Sequence, residues 1–169
     1  AKQIDGELEV RVHPALLSRV HPLAHVRPEF NGVLVRADAA GEISFTGKGA
    51  GALPTASAVL SDIIDLAAGG EPARVSPANE KPIASEIDSE YYLRFPILDV
   101  PGVIGLITTA LGNRGISISH AAARLDSSKP GRGSVRILAH RCRESALRRS
   151  IDEIARLPVL TGRPIVLRI

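Results

Sequence analysis

Three glycines within five residues, Gly47, Gly49 and Gly51, run directly into a segment of helical periodicity. Glycine has no side chain, so the backbone can take a positive φ there and another group can approach closely. Pro54 suits the first turn of a helix, where its missing N–H costs nothing. Apolar residues then recur at the spacing of one helical face, at Ala56, Val59, Leu60, Ile63, Ile64 and Ala67. The pattern predicts a glycine-rich loop followed by a helix with one buried side.

The loop sequence GKGAG suggests a ligand without specifying it. Exposed amides at a helix N-terminus attract anions, so the phosphate of a nucleotide is the expected ligand. The sequence matches neither the GxGxxG dinucleotide fingerprint nor a P-loop, however, and most short glycine-rich loops only turn the chain. From the residues alone, the loop could either contact a phosphate or only turn the chain.

The residues before the loop predict strands. Residues 1–5 are polar and are expected to fray, whereas Leu8, Val10 and Val12 alternate with polar residues as in a half-buried strand. Residues 31–46 form a candidate hairpin around a turn at residues 38–41.

His21 and His25 invite a metal hypothesis. Pro22 separates them, and a zinc site needs a third and usually a fourth ligand. Structural histidines are the favoured interpretation, and no metal site is expected.

Residues 69–89 carry three prolines and no sustained period, which predicts a linker. After it, strand and helix patterns follow in the order βαββαβ, beginning with the alternation of Tyr91, Leu93, Phe95 and Ile97. This order predicts a ferredoxin-like unit, one sheet covered by two helices on one face. Pro96 interrupts the first strand, so either the pairing stops early or a bulge intervenes. The predicted fold class is α+β, with domains at 1–68 and 90–169 joined by the linker 69–89.

Composition narrows the possible functions. Apolar residues make up 44% of the 169 residues and charged residues 23%, the balance of a globular protein. The net charge is only +3 and aromatic residues are 3%, which argues against nucleic-acid binding. The single cysteine, Cys142, excludes an intramolecular disulfide and suggests a reducing, cytoplasmic setting. No charged-then-apolar leader and no apolar run of membrane-spanning length is present, so no membrane partner is expected.

The run GKGAGALPTASAVLSD, preceded by HPLAHVRPEFNGVLV, resembles the C-terminal half of homoserine dehydrogenase. Three blocks occur in family order: RVHPAL, then NGVLV through SDIIDLA, then YYLRFPILDVPGVIG through GISI. The resemblance implies that residues 1–68 end a substrate-binding and dimerisation domain whose glycine-rich loop returns to the nucleotide site. Carried over by position, Gly51 is the best candidate for contact with the NADP (or NAD) cofactor, and Gly49 is the next.

The resemblance also implies what this chain lacks. The family's N-terminal nucleotide-binding domain and the lysine and acidic residues that handle homoserine have no counterpart here. No catalytic residue is therefore expected in this chain, and alone it is predicted to be inactive. The absence of methionine likewise predicts a piece of a longer product. The complete enzyme would interconvert L-aspartate 4-semialdehyde and L-homoserine, on the route to threonine, methionine and isoleucine.

The elements after residue 90, with LDVPGVIG and NRGISI where they stand, resemble an ACT domain, a small regulatory module that binds amino acids. Helix-terminal amides beside Gly102 would hold a carboxylate, and Asp99 would hold an ammonium. Asn113 and Ile116 sit where the family's facing subunit or strand completes the pocket. Ser117 stands where many of these domains have asparagine. The bland alternative is that Asp99 only caps the helix.

Two functions follow from these observations. The first is the C-terminal portion of a homoserine dehydrogenase, whose ACT domain senses an amino acid, with L-threonine as the expected effector, in a homo-oligomer. The second is a non-catalytic module for binding and assembly, whose ACT sheets pair side by side across a two-fold axis.

Overall fold

The computed structural model describes residues 1–70 and 81–169 of the chain. Its regular elements follow in chain order as β1 (Lys2–Ile4), β2 (Glu7–Glu9), a 3₁₀ helix (Pro22–His25), β3 (Phe30–Ala37), β4 (Gly41–Lys48), α1 (Ala52–Ala67), β5 (Asp88–Leu98), α2 (Val103–Gly112), β6 (Ile118–Leu125), β7 (Arg132–Arg143), α3 (Glu144–Ile154) and β8 (Ile165–Arg168). They form two compact units. The C-terminal unit comprises Ala1–Leu16 and Lys81–Ile169, and the hairpin unit comprises Leu17–Glu80.

The C-terminal unit is built on a four-stranded antiparallel sheet in the order β6-β7-β5-β8. Alternating residues of β5 and β7 turn inward, and Leu93, Phe95, Val135 and Ile137 are fully buried. The core on that face is completed by residues of α2 and α3, among them Ile107, Leu111, Leu147 and Ile154. The strand order is that of a ferredoxin-like fold, which confirms the predicted βαββαβ unit.

Pro96 is tolerated in the first strand of this unit because its missing N–H would point to the side of the strand where pairing with β8 has already ended. Pairing of β5 with β7 continues through Pro96↔Ser134, whereas pairing with β8 ends at Arg94↔Ile165. The Leu98 amide donates to the Val159 carbonyl on the β8 side of the strand. Because the nitrogens of residues two apart in a strand point to the same side, the ring nitrogen of Pro96 also faces that side, beyond the end of β8. The bulge lies elsewhere, between Ser89 and Tyr91.

The N-terminal residues are more ordered than the sequence predicts. Instead of fraying, β1 pairs with β2 around a turn in which Asp5 and Gly6 have positive φ. The strand expected at residues 8–12 ends at Glu9. The Leu8 amide donates to the Pro82 carbonyl, and the Ala84 amide donates to the Leu8 carbonyl.

These contacts move two predicted boundaries. Residues 1–16 belong with the C-terminal unit rather than with 17–68. Residues 81–89 of the expected linker are also part of that unit, since Ala84 and Ile87 are buried and β5 begins at Asp88. Residues 71–80, the middle of that linker, lie outside the described residues.

The hairpin unit confirms the predicted hairpin. β3 and β4 pair without interruption from Phe30↔Lys48 to Ala37↔Gly41. Helix α1 forms where the periodicity places it, but the expectation that one side is buried is wrong for this chain. Leu60 is 57% exposed and Ile63 is 56% exposed, and α1 buries no residue at all. Amphipathic periodicity indicates a face that suits burial, and it cannot show that the covering surface is present.

Candidate functional site

The glycine-rich loop ends in a backbone conformation that requires glycine. Gly51 is the N-cap of α1 and has φ 116° and ψ 152°, a region essentially closed to other residues. No side chain caps the helix. The Thr55 amide and hydroxyl both donate to the Gly51 carbonyl, at 3.2 and 2.9 Å. The loop is therefore shaped by its backbone, with Gly51 directing the chain into the helix.

Few donors are available at this helix N-terminus. The first four N–H groups of a helix have no intrahelical partner. Pro54 has no N–H, and the Thr55 amide is already bonded to Gly51. The amides of Gly51, Ala52 and Leu53 therefore make no intrahelical bond, those of Ala52 and Leu53 lie in the first turn, and that turn contains no acidic side chain to repel an anion. Two amides can hold one anionic or polar oxygen beside Gly51.

Gly49 has a different role from Gly51. A Cβ at this position would lie 1.7 Å from Nδ2 and 2.6 Å from Cγ of Asn31, on the facing strand of the hairpin. The Asn31 amide group thus occupies the space that a side chain at residue 49 would need. Glycine at position 49 is therefore explained by the close approach of the Asn31 side chain.

The second predicted site lies in the loop between β5 and α2. Asp99 follows β5, its amide donates to the Gly131 carbonyl at 2.9 Å, and its side chain is exposed. Gly102 is the N-cap of α2 with φ 83°, and no side chain caps the helix. The alternative that Asp99 is the helix cap is therefore wrong. Its carboxylate and the N-terminus of α2 belong to the same short loop, in which the Val103 amide donates to the Val100 carbonyl at 3.4 Å.

Asn113 and Ile116 lie at the other end of α2. Asn113 is the C-cap of this helix of ten residues, so its backbone is about 15 Å along the axis from Gly102. Ile116 is 3% exposed and packs in the core, so its side chain does not face solvent. Within a single chain, Asp99 and Gly102 therefore share one loop, whereas Asn113 and Ile116 lie away from that loop.

The histidines have structural surroundings. His21 precedes the 3₁₀ helix, and its Nδ1 accepts a hydrogen bond from the Leu23 amide at 3.2 Å. His25 lines an open cavity of about 360 Å³ with Arg27 and Phe30. Within residues 1–70 and 81–169, no group of three or more metal-ligating side chains exists.

One residue that sequence reasoning did not single out, Glu86, contributes to the C-terminal unit, and the structure also describes the surroundings of Cys142. Glu86 Oε1 accepts from the Ser145 amide at 3.2 Å, so a residue of the expected linker caps the N-terminus of α3. Hydrogen bonds from the Ser145 side chain and backbone hold the pKa of Glu86 below its usual value. Burial, with Asp88 nearby, raises the pKa of the Cys142 thiol, which disfavours the reactive thiolate.

No helix in the described part of the chain is long and apolar enough to cross a membrane.

A family model described as homoserine dehydrogenase matches residues 1–64. The homoserine dehydrogenase of Synechocystis is 35% identical over 96% of this chain and 40% of its own length. That of Neisseria gonorrhoeae is 42% identical over 66% of this chain and 28% of its own length. A crystal structure of a homoserine dehydrogenase from Thiobacillus denitrificans superposes with a TM-score of 0.78 and 30% identity, over 98% of this chain and 39% of that one.

The chain thus spans about two fifths of the length of the curated Synechocystis relative, and the similarity extends over nearly all of its own residues. The glycine-rich loop and α1 up to Ile64 lie inside the region that the family model matches. The chain belongs to the homoserine dehydrogenase family.

Proposed function

We propose that this chain is the C-terminal portion of an NAD(P)-dependent homoserine dehydrogenase, which interconverts L-aspartate 4-semialdehyde and L-homoserine. In this proposal the hairpin unit ends the substrate-binding and dimerisation domain, and the C-terminal unit contains its ACT domain. The nucleotide-binding domain and the catalytic side chains belong to the rest of the parent enzyme. The chain by itself is inactive as a dehydrogenase.

The observation that carries the proposal is the conformation of Gly51. It lies within the family-matched region, its φ of 116° and ψ of 152° require glycine, and it opens a helix whose N-terminus has no side-chain cap. A residue with those properties lets a ligand approach the backbone closely.

The residues present fit a limited contact with the cofactor. The amides of Ala52 and Leu53 can donate to one oxygen of a nucleotide, and Gly51 leaves room beside them. The cofactor, when bound, carries the hydride. This loop orients it, and nothing in the loop exchanges a proton with the substrate.

The exposed apolar surface of the hairpin unit agrees with a missing partner domain. Val33, Phe45, Leu60 and Ile63 are each more than half exposed. An unpartnered apolar surface of this kind marks a protein interface. We infer that the rest of the parent enzyme, or its second subunit, covers it.

The first test uses the gene that encodes this chain. An upstream reading frame for a nucleotide-binding domain supports the proposal, and a start codon directly before Ala1 contradicts it. In the complete enzyme, Gly51→Ala is expected to raise KM for NADP without a matching rise in KM for homoserine, measured by absorbance of the reduced nicotinamide. Gly41→Ala, at the hairpin turn, is the control for a glycine of positive φ outside the loop.

We further propose that the C-terminal unit binds a small amino acid, L-threonine in the first instance, at the loop of Asp99 and Gly102. The exposed carboxylate would hold the ammonium, and the amides of Ile104 and Gly105, in the first turn of α2, would hold the carboxylate. Since Asn113 lies at the far end of α2, a second copy of the unit would have to supply it.

Calorimetric titration of the chain with L-threonine tests this proposal, with L-isoleucine and L-methionine as parallel ligands. Saturable heat for threonine is expected, and Asp99→Ala should abolish it. Asp152→Ala, on the exposed side of α3, is the matched control. Heat that survives Asp99→Ala would move the site elsewhere.

The separation of Asn113 from Gly102 also favours the second candidate, a module for assembly. The edge strand β6 has eight residues, and among residues 1–70 and 81–169 it pairs only with β7. It could extend the sheet into a second copy. No heat with any of the three amino acids, together with a dimer in sedimentation that Ala121→Pro disrupts, would favour assembly over sensing.

A further inference from the structure

The two faces of the sheet in the C-terminal unit differ in chemistry. One face carries the buried apolar core under α2 and α3. On the opposite face, Arg94 on β5, Arg124 on β6 and Arg136 on β7 line one groove, and we name these three residues the arginine face. Their alternation with buried Leu93, Phe95, Val135 and Ile137 places them away from the helices.

Strand pairing brings these arginines together. Arg94 lies directly opposite Arg136 in the β5–β7 ladder. In the β6–β7 ladder, Arg124 pairs with Ser134, two residues from Arg136 on the same face. Neighbouring strands are about 4.8 Å apart, so three guanidinium groups from three adjacent strands reach one point. Arg94 and Arg136 are 42 positions apart in the chain, and the sheet makes them neighbours.

The charges of the arginine face are not balanced. Like charges directly opposite each other in a ladder destabilise a sheet. Among residues 1–70 and 81–169, none of the three guanidinium groups takes part in an ion pair. The nearby Asp126 accepts hydrogen bonds from the Ser128 hydroxyl at 2.6 Å and from the Ser128 amide at 3.0 Å instead. Three positive charges and one negative charge leave an excess of two.

Arg136 adds an independent sign of a missing partner. Its Nε is shielded from solvent and has no hydrogen-bond partner among the described residues. A buried donor of a charged group without an acceptor costs more free energy than a neutral one. An anion bound by the other nitrogens of the same guanidinium would stabilise its charge and offset part of that cost.

A groove of about 290 Å³ lies over these residues, lined also by Ser127 and Ser134. Guanidinium groups bind carboxylate and phosphate alike, as forks of parallel N–H donors. Three forks that converge from three strands match the three terminal oxygens of a phosphate monoester better than the two coplanar oxygens of a carboxylate. A phosphate monoester also carries close to two negative charges above pH 7.

We propose that the arginine face is a binding site for a small phosphorylated molecule. The site is separate from the loop of Asp99 and Gly102, and it does not depend on the dehydrogenase activity of the parent enzyme. Its ligand is recognised by the phosphate group, with the hydroxyls of Ser127 and Ser134 as further donors in the groove.

Calorimetric titration of the chain with inorganic phosphate and with pyrophosphate, in chloride buffer of low ionic strength at pH 8, tests the proposal. Saturable binding at one site per chain is expected. Arg136→Gln and Arg94→Gln should each weaken it by about tenfold or more, because each removes a charge-assisted hydrogen bond. Arg156→Gln, an exposed arginine just after α3, should leave the affinity unchanged.

A second readout separates binding from a structural role. Without phosphate, Arg136→Gln should match or exceed the wild-type thermal midpoint, since it removes an unbalanced charge. The same phosphate concentration should raise the midpoint of the wild type by more than that of the variant.

Three results would overturn the proposal. One is the absence of saturable heat at millimolar phosphate. Another is equal weakening by Arg156→Gln, which would reduce the effect to general attraction between charges. The third is tighter binding of succinate, or of a single-stranded oligonucleotide, than of pyrophosphate, which would assign the site to a different class of ligand.

Discussion

At the scale of single residues, Gly49 and Gly51 are two positions apart and obey different constraints. Gly51 has a backbone conformation closed to side chains, whereas Gly49 is restricted only by the Asn31 side chain. The exposed Asn31 side chain can rotate away from a new side chain at residue 49, whereas the backbone angles of Gly51 cannot change without moving the loop. The same substitution should therefore have different costs at the two positions.

We expect Gly51→Ala to lower the free energy of unfolding of the hairpin unit by about 1–3 kcal/mol, the cost of a strained backbone region. Gly49→Ala should cost less, and the double variant Asn31→Ala with Gly49→Ala should recover most of that loss. Urea unfolding followed by circular dichroism measures all three. A larger cost at residue 49 than at residue 51 would contradict this account.

The cap that Glu86 provides to α3 should appear in the pH dependence of stability. Because the folded-state pKa of Glu86 is lowered, its contribution is fully present above about pH 4.5 and is lost as the pH falls through the folded value. Glu86→Gln should therefore make the loss of stability between pH 5 and pH 3 shallower than in the wild type, by thermal melts at each pH. Glu90→Gln, an exposed strand residue, should leave the slope unchanged.

At the scale of elements, helix α1 is formed but does not pack. In a buried helix, truncating a large apolar residue costs about 2–5 kcal/mol, and we expect that cost for Ile107→Ala in α2. Ile63→Ala in α1 should cost less than about 1 kcal/mol in this chain, because Ile63 is 56% exposed. Urea unfolding of the isolated chain compares the two.

In the complete enzyme, Ile63→Ala should become costly, if the missing part covers α1. A high cost already in the isolated chain, independent of protein concentration, would show that the chain covers α1 by itself. A cost that grows with concentration would show that copies of the chain cover it.

At the scale of the whole molecule, the first sixteen residues stabilise the C-terminal unit. The Leu16 amide donates to the Arg168 carbonyl at 2.8 Å, and the Glu9 carboxylate lies 3.8 Å from the Arg168 guanidinium, which also pairs with Glu144. The side chains of the large buried core cluster all come from residues 91–154. The unit should therefore fold without the segment and be less stable.

Deletion of residues 1–16 should lower the thermal midpoint of the C-terminal unit by several degrees while its circular dichroism spectrum stays that of a folded α+β protein. Glu9→Gln should give a smaller decrease, since it removes only the ion pairs of Glu9 with Lys2 and with Arg168. Loss of the folded spectrum on deletion would show that the segment is part of the core rather than an addition to it.

The sequence by itself determined the elements whose signal is local. The alternation in β5, the periodicity of α1 and α2 and the turn at residues 38–41 predict their structures because each depends on residues that are close in the chain. The ferredoxin-like order follows from those elements, and the motif blocks identified the family. The positive φ of Gly51 also agrees with its place in a glycine-rich loop, whereas its contact with the cofactor stays a prediction.

Only the tertiary structure decided the contacts between distant residues. Leu8 forms a parallel β-bridge with Ile83, and Glu86 caps α3. Arg94 lies opposite Arg136 in the pairing of β5 with β7, and no local sequence pattern marks any of these contacts. Tertiary structure likewise separated Asn113 and Ile116 from Asp99, and it left α1 exposed. The physical reason is the same in each case: periodicity reports which side of an element is apolar, whereas strand register and long-range packing decide what lies against it.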